Sequence, residues 1–265
     1  NMKKIFTIVF GLLIFSFSAQ TQEKKMIGVI GAVSGKISNN SKILKTGDKI
    51  YLGDTILSNE NSAAQILLLD QSTFTIGSDS SVVMDTFIYD PKNNDGKIVA
   101  KVKKGSLKVI SGLVSKKNPD NLSIEVPEGT LGSRGTEFQT IVNSKAKETR
   151  TLLIGPGKNN TLGLRPGAVL VSNKFGNTML NKPYDFTKMK QGSAPDKAKK
   201  ITKKQLKQFK KKMKALRVAK LETSKEEKKA IRKEIKQSLK DQGFEKEEIK
   251  VLIKEEVQKA KAERI

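Results

Sequence analysis

Hydrophobic residues between positions 26 and 190 occur in short runs separated by turn-forming residues. Runs such as GVIGAV, KIY, TIL and KIVAKV are three to six residues long and rich in Val, Ile and Leu. In KIVAKV, the side chains of Ile98, Ala100 and Val102 recur at every second position, which is the period of a β-strand with one buried face. Turn residues follow every six to twelve positions, without a convincing helical pattern between the runs. The pattern predicts an all-β domain.

These short strands fit more than one all-β architecture. We predict a β-solenoid, or β-helix-like, fold over residues 26–190, with a β-sandwich as the alternative. Glycine tolerates positive φ, so glycines at strand junctions would allow the tight corners of stacked coils. Only 5% of the chain is aromatic and Trp is absent, so the core must be built mostly from Ile, Leu, Val and Ala. The junction glycines are Gly31, Gly35, Gly47, Gly53 and Gly105.

The pattern changes near residue 190 from a strand period to a helix period. Gly, Ser and Pro in GSAP predict a linker at residues 191–200. Beyond it, apolar residues recur at three- and four-residue spacing, and the capping boxes TKKQ (202–205) and SKEE (224–227) predict two helix starts. We expect about three helices over residues 201–265. Each has a narrow apolar stripe that must pack on a sister helix, the β-domain or a partner.

The N-terminus has the organisation of a secretory signal peptide. Lys3 and Lys4 precede an apolar run at residues 5–17, and small residues follow it. The run is shorter than the roughly 20 residues of a membrane-spanning helix. We therefore expect residues 1–19 to be a signal peptide and the protein to be periplasmic or secreted. The alternative is anchoring by an uncleaved N-terminal segment.

Composition restricts the chemistry that the chain can perform. It has no His and no Cys, which excludes Ser-His-Asp and Cys-His mechanisms and thiolate metal sites. The net charge of +24 favours contact with anionic surfaces or polymers. Most of this charge comes from Lys rather than from Arg, the side chain that binds phosphate with two parallel hydrogen bonds. The scarcity of Arg and the expected export both disfavour nucleic acid as a partner. We identify no catalytic residue, cofactor, metal or small-molecule substrate.

Five stretches, in order, carry a resemblance to a known family: GVIGAVSGKI, LKTGDKIYLGDTI, SAAQILLLDQSTFTIGSDSSVVM, KKGSLKV and EVPEGTLGSRGTEFQTIV. Over residues 27–142 the chain resembles the FecR domain, an exported module of iron-siderophore signal transducers that also occurs in standalone exported proteins. The resemblance implies a small β-solenoid-like domain that binds rather than catalyses. Since we expect only a signal peptide before the module, we do not extend the resemblance to sigma-factor regulation.

A Gly-Asp pair occurs twice, six residues apart, at Gly47-Asp48 and Gly53-Asp54. Glycine supplies positive φ, and an Asp side chain can accept a hydrogen bond from its own downstream amide, so we predict two structural turns. The alternative is a calcium site, because carboxylates are the oxygen ligands that calcium prefers. No EF-hand loop or Gly-Asp repeat array supports that alternative. Its ligands would come from Asp48, Asp54, Asp70, Asp79 and Asp85.

Two basic features are candidate contacts for a partner or an anion. Arg134 lies between Gly132 and Gly135, which predicts a tight turn that presents it. Its alternative role is structural, in a pair with a carboxylate such as Glu128 or Glu137. The other feature is a group of lysines on the first predicted helix, whose alternative role is a solvated surface. These lysines are Lys210, Lys211, Lys212 and Lys214.

Taken together, the sequence predicts an exported, non-enzymatic FecR-domain protein that acts as a binding, scaffold or envelope-signalling module. The expected partner of its basic tail is an envelope protein or an anionic surface, either lipid headgroups or a wall polymer. One alternative is a glycan-active β-solenoid enzyme, which would need two carboxylates facing one groove. The other is a protein that binds polyanions or nucleic acid.

Overall fold

The computed structural model describes residues 24–40, 42–155 and 167–216, and ten further residues between 229 and 250. The predicted signal peptide and most of the second and third predicted helices lie outside these residues. Within the described part, no helix is long and apolar enough to cross a membrane. The prediction of a mostly β domain followed by a helix is confirmed.

The strands and helices follow one another without a repeating βαβ unit. The helical elements are α1 (Leu113–Lys117), a 3-10 turn (Pro119–Asn121) and α2 (Lys203–Lys212). The strands are β1 (Met26–Ser34), β2 (Ile37–Ser38), β3 (Lys49–Tyr51), β4 (Thr55–Ser58), β5 (Ala63–Leu68), β6 (Thr73–Ile76), β7 (Ser81–Asp90), β8 (Asp95–Ile110), β9 (Leu122–Val126), β10 (Gly129–Arg134), β11 (Glu137–Asn143), β12 (Glu148–Leu153), β13 (Ala168–Asn173), β14 (Gly176–Leu180), β15 (Asp185–Lys190) and β16 (Lys199–Lys200).

The long strand β8 joins two sheets because it changes neighbours near Gly105. Its first half lies between β7 and β9, and its second half lies between β6 and β11. Gly105 has φ of +87°, and a side chain there would collide with the backbone of Ser80, so glycine is required at the change of direction. Sheet A has the order β3-β1-β5-β6-β8-β11-β12-β15-β16, and sheet B has the order β2-β4-β7-β8-β9-β10-β13-β14.

Inward-facing residues of both sheets meet in one hydrophobic core. Ile66 and Phe138 enter it from sheet A, and Leu131 and Val169 enter it from sheet B. The side chains are aliphatic for the most part, as the composition requires. Sheet A and sheet B therefore have their outer faces on opposite sides of a shared core.

The strand pairings differ from the predicted solenoid. Solenoid coils stack in parallel, whereas β8 and β9 form the only parallel pair among the described strands. The other pairs are antiparallel, and many are joined by tight hairpins. Of the junction glycines, Gly35, Gly47 and Gly53 lie in turns with positive φ and Gly105 lies at the bend in β8. Gly31 lies inside β1 at a register shift, so the predicted corner there is wrong. The arrangement resembles the sandwich alternative.

Residues 191–200, which the sequence analysis treats as a linker, lie against the β-domain. The Asp196 amide donates to the Lys188 carbonyl at 2.9 Å, and the Thr187 hydroxyl donates to the Asp196 carbonyl at 2.6 Å. β16 then pairs with β15 at the edge of sheet A. This segment delivers the chain directly to the start of α2.

Candidate functional site: the lysine face of helix α2

Helix α2 begins at a capping box, as the sequence predicts. The Thr202 hydroxyl accepts a hydrogen bond from the Gln205 amide at 3.2 Å, and the Gln205 side chain accepts one from the Thr202 amide at 3.0 Å. Two amide groups that the first turn leaves unpaired are thereby satisfied. The start of α2 is therefore fixed by local sequence.

The apolar side of α2 packs on the outer face of sheet A. Phe209 is 1% exposed and meets Phe186 of β15 edge-on, with ring centroids 6.3 Å apart. Leu152 of β12 and Ile201 complete this small cluster, which is separate from the main core. Because the neighbouring residue Leu153 belongs to the main core, the cluster lies on the opposite face of the strand.

Hydrogen bonds from the β-domain also hold the C-terminal half of α2. The Gln139 side chain donates to the Phe209 carbonyl at 3.1 Å, and the Ser78 amide donates to the Lys212 carbonyl at 3.0 Å. A side chain at Gly77 would come within 2.7 Å of the same Lys212 carbonyl. These bonds satisfy carbonyls at the helix end, so α2 is fixed at both ends rather than attached by its start alone.

The lysines of α2 point away from sheet A. Lys210 and Lys211 are exposed, and so is Lys214, two residues beyond the helix end at Lys212. Lys212 is half-buried, with its ammonium 3.8 Å from an Asp79 carboxylate oxygen. The predicted contacts thus divide into three outward lysines and one that faces the domain. Lys203, Lys204 and Lys207, which were not among the predicted contacts, are exposed as well.

The charge around α2 is concentrated and unopposed. Residues 197–216 contain ten Lys and neither Asp nor Glu, whereas residues 217–265 contain fifteen basic and eleven acidic residues. Among the described residues, Lys212 alone of these ten lies within ion-pair distance of a carboxylate. Like charges at i,i+4, such as Lys203 with Lys207, disfavour an isolated helix by a few tenths of a kcal/mol per pair. The β-domain therefore holds together a lysine array that local sequence alone disfavours.

Arg134 ends β10 and pairs with a carboxylate that the sequence analysis did not foresee. Its guanidinium lies 3.3 Å from Asp120 in the 3-10 turn, and both side chains are open to solvent. Glu128 instead accepts a hydrogen bond from the Thr149 hydroxyl, and Glu137 lies 2.7 Å from the Lys108 ammonium. No contact among the described residues joins Arg134 to the lysine array, and β16 begins 65 positions further along the chain.

The two glycines beside Arg134 have different conformations. Gly135 has φ of +60°, which is a turn conformation. Gly132 lies inside β10, where it pairs with Ser123 of β9 and Leu170 of β13. The predicted turn at Gly132 is therefore wrong, because the strand ladder continues through it on both sides.

The two Gly-Asp pairs form copies of one turn. In each, the Asp amide donates to the carbonyl three residues earlier, Lys45 or Tyr51, at 3.1 Å. The carboxylates of Asp48 and Asp54 accept a hydrogen bond from the amide of that same residue, at 2.9 and 3.0 Å. The amide is upstream of the Asp and not downstream as predicted. Gly47 and Gly53 have φ of +88° and +84° at the third turn position.

The outer face of sheet B carries charges of both signs. Lys101 lies 2.9 Å from Asp85 and 3.5 Å from Glu125. The hydrogen bond that Lys101 donates lowers the pKa of the Asp85 carboxyl, and a hydrogen bond from the Thr86 hydroxyl lowers it further. The hydrogen bond with Asp85 raises the pKa of Lys101. Lys101, Asp85 and Glu125 are thus paired. Lys97 and Lys103 of β8, which are exposed, lie within ion-pair distance of no described carboxylate.

A shallow polar cleft of about 810 Å³ opens where the β9–β10 and β13–β14 hairpins meet. Glu125 and Glu128 line it, but their carboxylates are already engaged by Lys101 and the Thr149 hydroxyl. Phe175, 49% exposed, forms part of the rim. In the part of the chain that the structure describes, no group of three acidic side chains is arranged to hold a metal ion.

These features define an all-β protein with two sheets and a docked, lysine-rich helix. Residues 54–155, from the second Gly-Asp turn to just beyond β12, match the family model described as FecR protein. The predicted resemblance is thereby confirmed for this region, which is less than half of the chain. β1–β3 and β13–β16 extend both sheets on either side of it. No curated protein matches the chain.

Similar solved structures include two crystal structures of a proposed anti-sigma factor from Parabacteroides distasonis ATCC 8503, at 2.50 and 1.65 Å resolution. Their TM-scores are 0.42 and 0.41, each at 10% identity. The similar region covers 58% of this chain and 62% of the other. This chain therefore spans less than two thirds of the length of those proteins, and the likeness is partial.

Proposed function

We propose that the chain is an exported, non-enzymatic binding module of the cell envelope, and that the lysine face of α2 is its contact surface for a negatively charged partner. The FecR match over residues 54–155 supports a role in the envelope. The predicted signal peptide supports export to the periplasm or beyond. The β-domain serves as the rigid support for the helix.

The observation that carries this proposal is the unopposed charge of residues 197–216. Two other stretches without an acid, residues 24–47 and 96–119, hold five and seven Lys in 24 residues each, whereas residues 197–216 hold ten in twenty. The density of Lys is therefore highest around α2. Five of these lysines are exposed on α2 and a sixth, Lys214, is exposed just beyond its end. The burial of Phe209 against sheet A offsets their mutual repulsion. Such a surface attracts anionic partners over distances of about a Debye length.

The test compares two variants with equal loss of charge. In the helix variant, Lys207, Lys210, Lys211 and Lys214 are changed to Gln. In the control variant, four exposed lysines outside the α2 region are changed to Gln: Lys97 of β8, Lys116 of α1, and Lys92 and Lys174 in the β7–β8 and β13–β14 turns. Substitution is preferable to deleting residues 196–265, because deletion would uncover Leu152 and Phe186.

Each purified mature protein is sedimented with a washed envelope fraction. We expect the wild-type and control proteins to sediment with the fraction at low salt, and the helix variant to remain in the supernatant. Equal sedimentation of the two variants would overturn the proposal.

A further inference from the structure

The lysine array of α2 has the form of a surface-contact site rather than a pocket for one small anion. The helix is about 15 Å long, at 1.5 Å per residue. Lys203, Lys207 and Lys210 follow one stripe along it, each about a turn from the next, and Lys214 follows just beyond the helix end at Lys212. They do not converge on a single point. Lysine is a compact point charge on a flexible stem, which suits many dispersed anionic groups better than one bidentate ligand.

The opposite side of α2 is already occupied, and this restricts how the helix can meet a lipid surface. Phe209 and Ile201 are 1% and 9% exposed, because they pack on Leu152 and Phe186. A free amphipathic helix would bury such residues in the acyl region of a bilayer. Here insertion would first require α2 to leave sheet A and break the bonds from Gln139 and Ser78.

We infer that α2 docks the protein on an anionic phospholipid bilayer by electrostatic contact alone, while its apolar side stays on sheet A. This inference rests on the proposed function and names the partner of the same lysine face. Because α2 packs on the outer face of sheet A, docking turns the outer face of sheet B away from the bilayer. The bilayer thus orients the molecule and leaves sheet B accessible.

Binding is measured with vesicles of phosphatidylcholine that contain about one third phosphatidylglycerol, against pure phosphatidylcholine vesicles. We expect the wild-type and control proteins to bind only the anionic vesicles and to be released at about 0.5 M salt. The helix variant should bind at least about a hundredfold more weakly, since a lysine near an anionic membrane contributes roughly fivefold. Binding of soluble inorganic polyphosphate is measured in parallel, to test whether the partner is a lipid surface or a dissolved polyanion. If polyphosphate binds as tightly as vesicles do, a dissolved polyanion is the partner and the inference is wrong.

The chain has no Cys, so single labels can report orientation. A fluorophore at Lys211→Cys on α2 should be quenched by headgroup-attached quenchers and not by acyl-chain quenchers. A fluorophore at Asn177→Cys on β14 of sheet B should be quenched by neither. Acyl-chain quenching at position 211 would show insertion and overturn docking with the apolar side in place.

The two proposals fail in different ways. If anionic vesicles do not bind but the envelope fraction still retains wild-type and not the helix variant, the lipid inference is wrong and the proposed function stands. If neither preparation distinguishes the helix variant from the control variant, both are wrong.

Discussion

At the scale of single residues, glycines show how much a sequence can and cannot predict. The turn role of Gly47 and Gly53 follows from the Gly-Asp pairs, and both residues have positive φ. The turn role of Gly132 does not follow, because a glycine before Ser-Arg-Gly fits a strand as well as a turn. The direction of the Asp hydrogen bond depends on turn type, which the sequence does not specify.

Gly132 is a position where the fold does not require glycine. A β-carbon there would lie no closer than 3.9 Å to any described atom, and its φ is not left-handed. We therefore expect Gly132→Val to stabilise the protein by about 0.5–1 kcal/mol, since glycine costs that much inside a strand. Urea unfolding measures the change.

Gly129, in the same strand, is the matched control. A β-carbon there would collide with the Ser172 carbonyl and reach within 2.9 Å of the Met189 sulfur. Gly129→Val should therefore destabilise the protein by about 1–3 kcal/mol. The interpretation fails if both substitutions shift the unfolding midpoint in the same direction.

The second Gly-Asp turn is more deeply buried than the first, and this predicts unequal costs. Asp54 is 3% exposed and accepts from the Tyr51 amide and the Asn39 side chain, whereas the Asp48 side chain remains 25% exposed. Asp54→Ala should cost about 1–3 kcal/mol, because it leaves buried donors unpaired, and Asp48→Ala should cost less. If these aspartates instead bound calcium, added calcium would raise the unfolding midpoint of the wild-type protein. We expect no such rise.

At the scale of elements, the capping box at residues 202–205 gives the start of α2 correctly, because it depends on residues three apart in sequence. The site where α2 packs could not be predicted in the same way. A narrow apolar stripe shows that a helix needs a partner, but not which surface provides it. The contact with Phe186 arises only because β15 joins sheet A beside β12, a pairing between distant segments.

Phe209 is the residue that fixes α2 to the β-domain. Phe209→Ala should cost about 3 kcal/mol and speed hydrogen exchange of the α2 amides more than those of the core strands. Lys210→Ala, one residue further along the exposed side, should change neither quantity measurably. Protection of α2 that survives Phe209→Ala would show that the described packing is not what holds the helix.

At the scale of the whole molecule, composition and strand length predict an all-β domain but not its architecture. Short strands and turn glycines suit both stacked coils and hairpins. The difference depends on strand direction, which appears only when β8 bends at Gly105 and supplies one half to each sheet. The charge asymmetry also emerges at this scale, because the lysines of α2 form one exposed face only when sheet A supports the helix.

The central claim is that charge on the exposed face of α2 holds the protein to its partner. The most direct measurement compares envelope binding of two substitutions at Lys207, Lys210, Lys211 and Lys214, all four to Arg or all four to Gln. The charge-keeping Arg protein should bind like wild-type and the neutral Gln protein should not bind, with both remaining folded by circular dichroism. Wild-type binding by the Gln protein would contradict the account.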